Sequence, residues 1–157
     1  MPLFLSTYQN KVDKKGRVSV PAAFRAELDK GGFNSFIAFP HPEFQCIEGW
    51  DKERMERFAE GMDDFAPMSA EYAAASALMS RSRELVFDPE GRIAIPPAML
   101  DWGGISDAVV FAGRGQSFQL WHPDTFEAYE EEAAKLALEN RDKFRLAPRR
   151  RPDGEGR

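Results

Sequence analysis

Asp13-Lys14-Lys15-Gly16-Arg17-Val18-Ser19-Val20-Pro21-Ala22-Ala23 recurs 75 residues later as Asp88-Pro89-Glu90-Gly91-Arg92-Ile93-Ala94-Ile95-Pro96-Pro97-Ala98. Asp, Gly, Arg, Pro and the second Ala coincide, and Val becomes Ile twice. With a small offset the match continues. Gly31-Gly32-Phe33 and Phe36-Ile37-Ala38-Phe39 parallel Gly103-Gly104-Ile105 and Ala108-Val109-Val110-Phe111, and Phe44-Gln45 parallels Phe118-Gln119. One unit of about 55 residues therefore occurs twice.

Both copies carry the same local signals. Thr7 to Val12 and Arg83 to Phe87 are β-compatible runs that end at an Asp. Asp-x-x-Gly then suits a type I turn, with Asp bonding back at the first position and Gly at the fourth. The next strand, Arg17 to Val20 or Arg92 to Ile95, runs into a Pro whose fixed φ starts a short helix. Those helices, Ala22 to Lys30 and Pro97 to Trp102, stop at Gly31-Gly32 and Gly103-Gly104, a left-handed exit. Two apolar strands follow in each copy, Phe36 to Phe39 with Gln45 to Ile47, and Ala108 to Ala112 with Phe118 to Trp121. The expected unit is β-β-α-β-β, placed at residues 5–50 and 81–124. Such a unit alone leaves open strand edges and an unclosed core, so two copies should complete one another.

The intervening residues 51–80 read as a helical connector. Met55, Phe58, Ala59 and Met62 line one face of Asp51 to Met62, and Ser69 offers a cap to an Ala-rich helix from Ala70 to Met79. Residues 125–147 are expected as an amphipathic C-terminal helix carrying Phe126, Tyr129, Ala133, Leu136 and Phe144. Residues 148–157, with Arg149-Arg150-Arg151, read as a disordered, solvated basic tail.

Composition narrows the function classes. With 43% hydrophobic and 30% charged residues, 157 residues can bury a core. No apolar run nears the roughly 20 residues of a membrane span, and Met1 to Lys11 lacks an export signal's pattern, so a soluble, cytosolic protein is expected. The single cysteine, Cys46, permits no intrachain disulfide and reads as a small core hydrophobe. His41 and His122 have no partner at metal-ligand spacing and read as loop or strand-end residues. Gly113-Arg114-Gly115 lacks the helix start of a phosphate loop and reads as a hairpin turn. No catalytic constellation emerges, so neither an enzyme nor a cofactor nor a small-molecule substrate is expected.

The net charge of −5 hides three zones: +3 over residues 1–30, −12 over residues 31–140 and +4 over residues 141–157. Clustered cations are what phosphate neutralisation requires, and Arg can also read guanine bidentately. Lys11, Lys14, Lys15 and Arg17 supply such a cluster at the first turn. Asp13 and Gly16 would then shape the turn, Asp13 holding the Arg17 guanidinium. The alternative is a surface turn whose Asp and Arg only close the hairpin. In the second copy Asp88 and Gly91 keep the shaping positions and Arg92 the cationic one, but Pro89 and Glu90 leave the turn without a net positive charge.

The doubled Asp-x-x-x-Arg motif, each copy followed by an aliphatic strand and a Pro, resembles the MraZ family of bacterial transcription regulators over residues 1 to about 145. The resemblance implies a mainly β fold with short helices (α+β), in which two AbrB-like swapped-hairpin units form a pseudo-two-fold double-split β-barrel with flanking amphipathic helices. It also implies a cytoplasmic, nucleoid-associated homo-oligomer, a ring, that binds tandem short repeats of double-stranded DNA in the promoter of the division and cell-wall gene cluster and typically represses it. The family's Asp and Arg fall on Asp13 and Arg17, and on Asp88 and Arg92. Two alternatives belong to other classes: an AbrB-like module acting through protein partners, as antitoxins do, and a ring-forming structural protein.

Overall fold

The computed structural model describes residues 1–149, and the expected tail from 150 onward lies outside the described residues. The chain divides into a compact unit, Met1–Phe126, and a second unit from Glu127 onward. In order the elements are β1 (Thr7–Lys11), β2 (Arg17–Ser19), α1 (Ala22–Lys30), β3 (Ser35–Pro40) and β4 (Ile47–Trp50). They continue with α2 (Lys52–Gly61), α3 (Ala70–Arg81), β5 (Arg83–Val86), β6 (Arg92–Ala94), α4 (Pro97–Gly103), β7 (Ala108–Gly113), β8 (Phe118–Trp121) and α5 (Pro123–Glu139). The class is mixed α and β, as the repeat pattern implied.

Each repeat builds its sheet with the other repeat's first strand. The six-stranded antiparallel sheet has the order β1-β7-β8-β4-β3-β5, which maps onto itself when the two repeats are exchanged. β1 pairs β7, with Thr7 opposite Ala112 and Lys11 opposite Ala108, while β5 pairs β3, with Val86 opposite Ser35. β4 and β8 meet at the centre, Ile47 opposite Leu120. The second strands leave the sheet and form a ribbon of their own, β2 against β6, with Arg17 opposite Ala94 and Ser19 opposite Arg92. Because β2 and β6 bond to each other and not to β1 and β5, the strands do not close. The described strands form an open sheet and a ribbon, where a double-split barrel was expected.

The central strands β8 and β4 are largely buried on both faces, and the two polar residues they bury are paired, Gln119 Nε2 donating to Glu48 Oε1 at 3.0 Å. One face meets the ribbon and the short helices. Phe118 lies at its centre, with Phe4, Phe24 and Phe36 ring centroids at 4.8, 5.0 and 4.9 Å, and Val18 and Ile93 close the cluster from the ribbon. The aromatic edges meet at tilted or near-perpendicular angles, the arrangement favoured by ring quadrupoles. On the other face Ile37 and Phe39 pack with Met55, Phe58, Leu78 and Met79 of α2 and α3. Asp51 caps α2 by accepting the Arg54 N–H at 2.7 Å, and Ser69 caps α3 by accepting the Tyr72 N–H at 3.1 Å.

Two placements differ from the sequence expectation. Phe4 is fully buried, because residues before β1 fold over the β7–β8 turn: Phe4 N–H donates to the Gly115 carbonyl at 2.7 Å. Gly113 permits this crossing, since a Cβ there would stand 2.5 Å from the Phe4 carbonyl. The last helix ends at Glu139, short of the expected 147, and a 3-10 turn follows at Arg141–Lys143. Asn140 Nδ2 and Arg141 Nη1 donate to the Leu136 and Leu138 carbonyls at 2.8 and 2.6 Å, capping the end of the helix.

Candidate nucleic-acid interface

The two Asp-x-x-x-Arg turns are near copies in space. Asp13 Oδ1 accepts the backbone N–H groups of Lys15 and Arg17, each at 2.9 Å, and Oδ2 accepts Arg17 Nε at 2.7 Å. In the second turn Asp88 Oδ1 accepts from Glu90 and Arg92 at 2.9 Å, and Oδ2 accepts Arg92 Nε at 2.9 Å. Gly16 and Gly91 have φ of +78° and +79°, a region open to glycine at little cost. One carboxylate thus fixes both the backbone of the turn and the direction of its arginine.

The ribbon locks the turns to each other. Ile95 N–H donates to the Gly16 carbonyl at 2.9 Å, and Val20 N–H donates to the Gly91 carbonyl at 3.1 Å. Val18 and Ile93 point inward, so the alternating positions Arg17, Ser19, Arg92 and Ala94 share the outer face. Asn10 is a site residue that sequence reasoning missed. Its Nδ2 donates to the Ser19 carbonyl at 2.7 Å and tethers the ribbon to the sheet edge. A polar amide within an otherwise β-compatible run was the available signal.

The turns differ in what their cations can still do. Arg17 uses Nε on Asp13, and among the described residues its Nη groups have no ion-pair partner. Arg92 spends Nε on Asp88 and also places Nη2 3.3 Å from Glu90 Oε2. Lys14 and Lys15 are exposed at the tip of the first turn, where Pro89 and Glu90 stand in the second. Lys11 lies outside the turn, exposed at the end of edge strand β1.

The Asp13 carboxyl is held below the ordinary carboxylate range, chiefly by the Arg17 backbone N–H, and Asp88 by that of Arg92 in the same way. A depressed folded value means that the unfolded chain binds more protons. The bracing is therefore complete above the unfolded carboxylate value of about 3.9 and is lost only as pH falls from there through the lower folded value. Carbon-detected NMR titration should accordingly place both carboxyl midpoints below that of a free Asp. A midpoint at or above the free value would contradict the bracing geometry.

The other singled-out residues serve the fold. His41 Nδ1 accepts the N–H groups of Glu43 and Phe44, both at 3.0 Å, and His122 Nδ1 accepts that of Asp124 at the start of α5, also at 3.0 Å. Cys46 is fully buried, and burial pushes its thiol far above the ordinary range. Gly115, at φ +83°, sits in the β7–β8 turn. No helix among the described residues is long and apolar enough to cross a membrane.

Fold and site together define a duplicated protein whose halves exchange strands and place two carboxylate-braced arginine turns on one ribbon. The family described as "MraZ protein, putative antitoxin-like" matches residues 3–76 and again residues 78–147, so the chain belongs to the MraZ family. Proteins named "Transcriptional regulator MraZ" match it along most of its length. The one from Pelagibacter ubique is 43% identical over 141 residues, covering 88% of this chain and 90% of the relative. That from Rhodospirillum rubrum is 41% identical, with 82% and 84% covered, and that from Rickettsia bellii is 40% identical, with 90% and 95% covered.

Proposed function

We propose that the chain is a sequence-specific, non-enzymatic DNA-binding transcription regulator that engages double-stranded DNA through the β2–β6 ribbon and the turn from Asp13 to Arg17. The observation that carries this reading is the braced turn, whose guanidinium Nη groups have no ion pair among the described residues, with Lys14 and Lys15 exposed at its tip. A two-stranded ribbon is one of the elements that a major groove about 12 Å wide admits. Arg17 and Arg92 sit diagonally across it, about 7–8 Å apart by strand geometry. In this reading Lys11, Lys14 and Lys15 neutralise phosphates, Arg17 reads base edges, and Asp13, Gly16, Asp88 and Gly91 set the turns. Arg92 contributes less, because Glu90 occupies part of its guanidinium. The −12 middle of the chain repels DNA from other surfaces.

Membership of the family, and the names its relatives carry, support the regulatory role. The finer reading follows the same resemblance: a cytoplasmic, nucleoid-associated ring whose many weak turns engage tandem repeats upstream of the division and cell-wall gene cluster and repress it. Avidity would then come from effective concentration rather than from strong single contacts. Neither cofactor nor small-molecule substrate enters this mechanism.

Fluorescence-anisotropy titration against the DNA upstream of the chain's own gene and a scrambled duplex, at two salt concentrations, tests the proposal. Tighter binding to the upstream duplex supports it. Equal weak binding that vanishes with salt leaves only generic attraction and favours a protein-partner role. In the same assay Glu90→Lys should raise affinity several-fold and steepen the salt dependence, since it frees the Arg92 guanidinium and adds a cation. Unchanged affinity would remove the second turn from the interface.

A further inference from the structure

The two repeats place different residues over their partner's turn. Aligned at Pro21 and Pro96, Arg25 of α1 corresponds to Leu100 of α4. A Cβ on Gly16 would approach Leu100 Cδ1 at 3.3 Å, whereas a Cβ on Gly91 would stand 2.7 Å from Arg25 Cζ and 3.0 Å from its Nη1. The first turn, rich in its own cations, thus lies beneath an apolar side chain from the second repeat. The second turn, which has Pro89 and Glu90 where the first has lysines, lies beneath a guanidinium from the first repeat.

We infer that Arg25 is a DNA-phosphate contact of the second turn, supplied across the strand exchange in place of the lysines that turn lacks. This rests on the DNA-binding reading above. Arg25 Nε donates to the Val20 carbonyl at 3.1 Å, and Val20 N–H in turn donates to the Gly91 carbonyl at 3.1 Å, so the side chain is fixed relative to the turn. Among the described residues no carboxylate forms an ion pair with it, in contrast to Arg17 and Arg92. Its charge is therefore spent on a neutral carbonyl and remains available to an anion. An open hollow of about 390 Å³ lies beside it, walled by Ala22, Phe33, Phe87, Asp88 and Gly91. Asp88 is already engaged by Arg92, but Asp29 also borders the hollow, which disfavours a free anion. The phosphate accepted there is one that the docked ribbon brings with it. Without Arg25 the second turn, Asp88 to Arg92, carries a net −1 and would repel the backbone it faces.

The test compares Arg25→Gln, Arg25→Lys and Arg17→Ala with the unmodified full-length chain, by anisotropy against the upstream and scrambled duplexes over a salt series. Thermal melting serves as the check of folding. Gln can place an amide N–H where Arg25 has Nε, which keeps a donor for Val20, but it removes the charge. Arg25→Gln should weaken binding to both duplexes by a similar factor, about tenfold, and reduce the slope of log K against log salt by about one. Arg25→Lys should restore that slope. If Arg25→Gln keeps the full slope while Arg17→Ala weakens binding, the inference fails and the DNA reading stands. If Lys fails to restore the slope in a variant that melts normally, Arg25 acts only by packing and the inference fails. If the unmodified chain binds neither duplex, both readings fall.

Discussion

Replacing Arg17 by Ala is expected to weaken binding to the upstream duplex by roughly ten- to a hundredfold and to remove most of the preference over a scrambled duplex. The reason lies in the geometry of the turn. Asp13 holds Nε of Arg17 at 2.7 Å, which orients the guanidinium before any ligand arrives and leaves its fork pointing away from the brace. Arg17→Lys should keep the phosphate attraction and lose the preference, because an ammonium cannot reproduce bidentate readout. Lys14→Ala and Lys15→Ala should lower affinity for both duplexes alike, each reducing the salt slope by about one. An Arg17→Ala variant that retains both affinity and preference would leave the turn as a hairpin closure alone.

The largest loss of stability is expected at Phe118, whose truncation to Ala should cost about 3–5 kcal/mol. The ring is fully buried and makes aromatic contacts with Phe4, Phe24, Phe36 and Phe111. It also covers Gly49, where a Cβ would stand 2.6 Å from the ring, so backbone and ring fit too closely for the space to be filled from that side. Those contacts join the N-terminal strap, α1, β3 and β7 at one point, and a cavity there loosens both repeats at once. Urea denaturation should show the loss, with a fall in melting temperature on the order of 10 °C. A cost below about 1 kcal/mol would mean that the site collapses to fill the void. Below its lowered melting temperature the variant should still bind DNA, since no residue of the ribbon is substituted.

The turns were legible because their chemistry is local: an Asp that accepts backbone N–H groups two and four residues on needs nothing from the rest of the chain. The helix cap at Ser69 was equally short-range, whereas Asp51, read as the first residue of its helix, is in fact its cap. Strand partners were not. Alternation and apolar runs mark β3 and β7 as buried, but an apolar face does not name the strand that will lie beside it. The resemblance implied swapped hairpins, but the particular partners of β1 and β5, and with them the open sheet, had to come from three dimensions. Phe4 was lost among short N-terminal hydrophobics because its partner, Gly115, is more than a hundred residues away. Arg25 was counted as part of a basic end, but its position over Gly91 depends on packing between repeats.

The exchange has a consequence for the order of events during synthesis. Among the described residues β1 finds its only sheet partner in residues 108–113, and Phe4 finds its bridge at Gly115. At a ribosome moving about 5–20 residues per second, those partners follow the first strand by roughly 5–20 s. Until residues 83–86 follow, the first repeat has neither β1 nor β5 in place and the apolar edge of β3 lacks its neighbour; β1 waits longer, for β7. Such distant pairing makes folding slow and largely post-translational. A ribosome stalled between the two repeats would release a half with exposed strand edges, the kind of species that chaperones must hold.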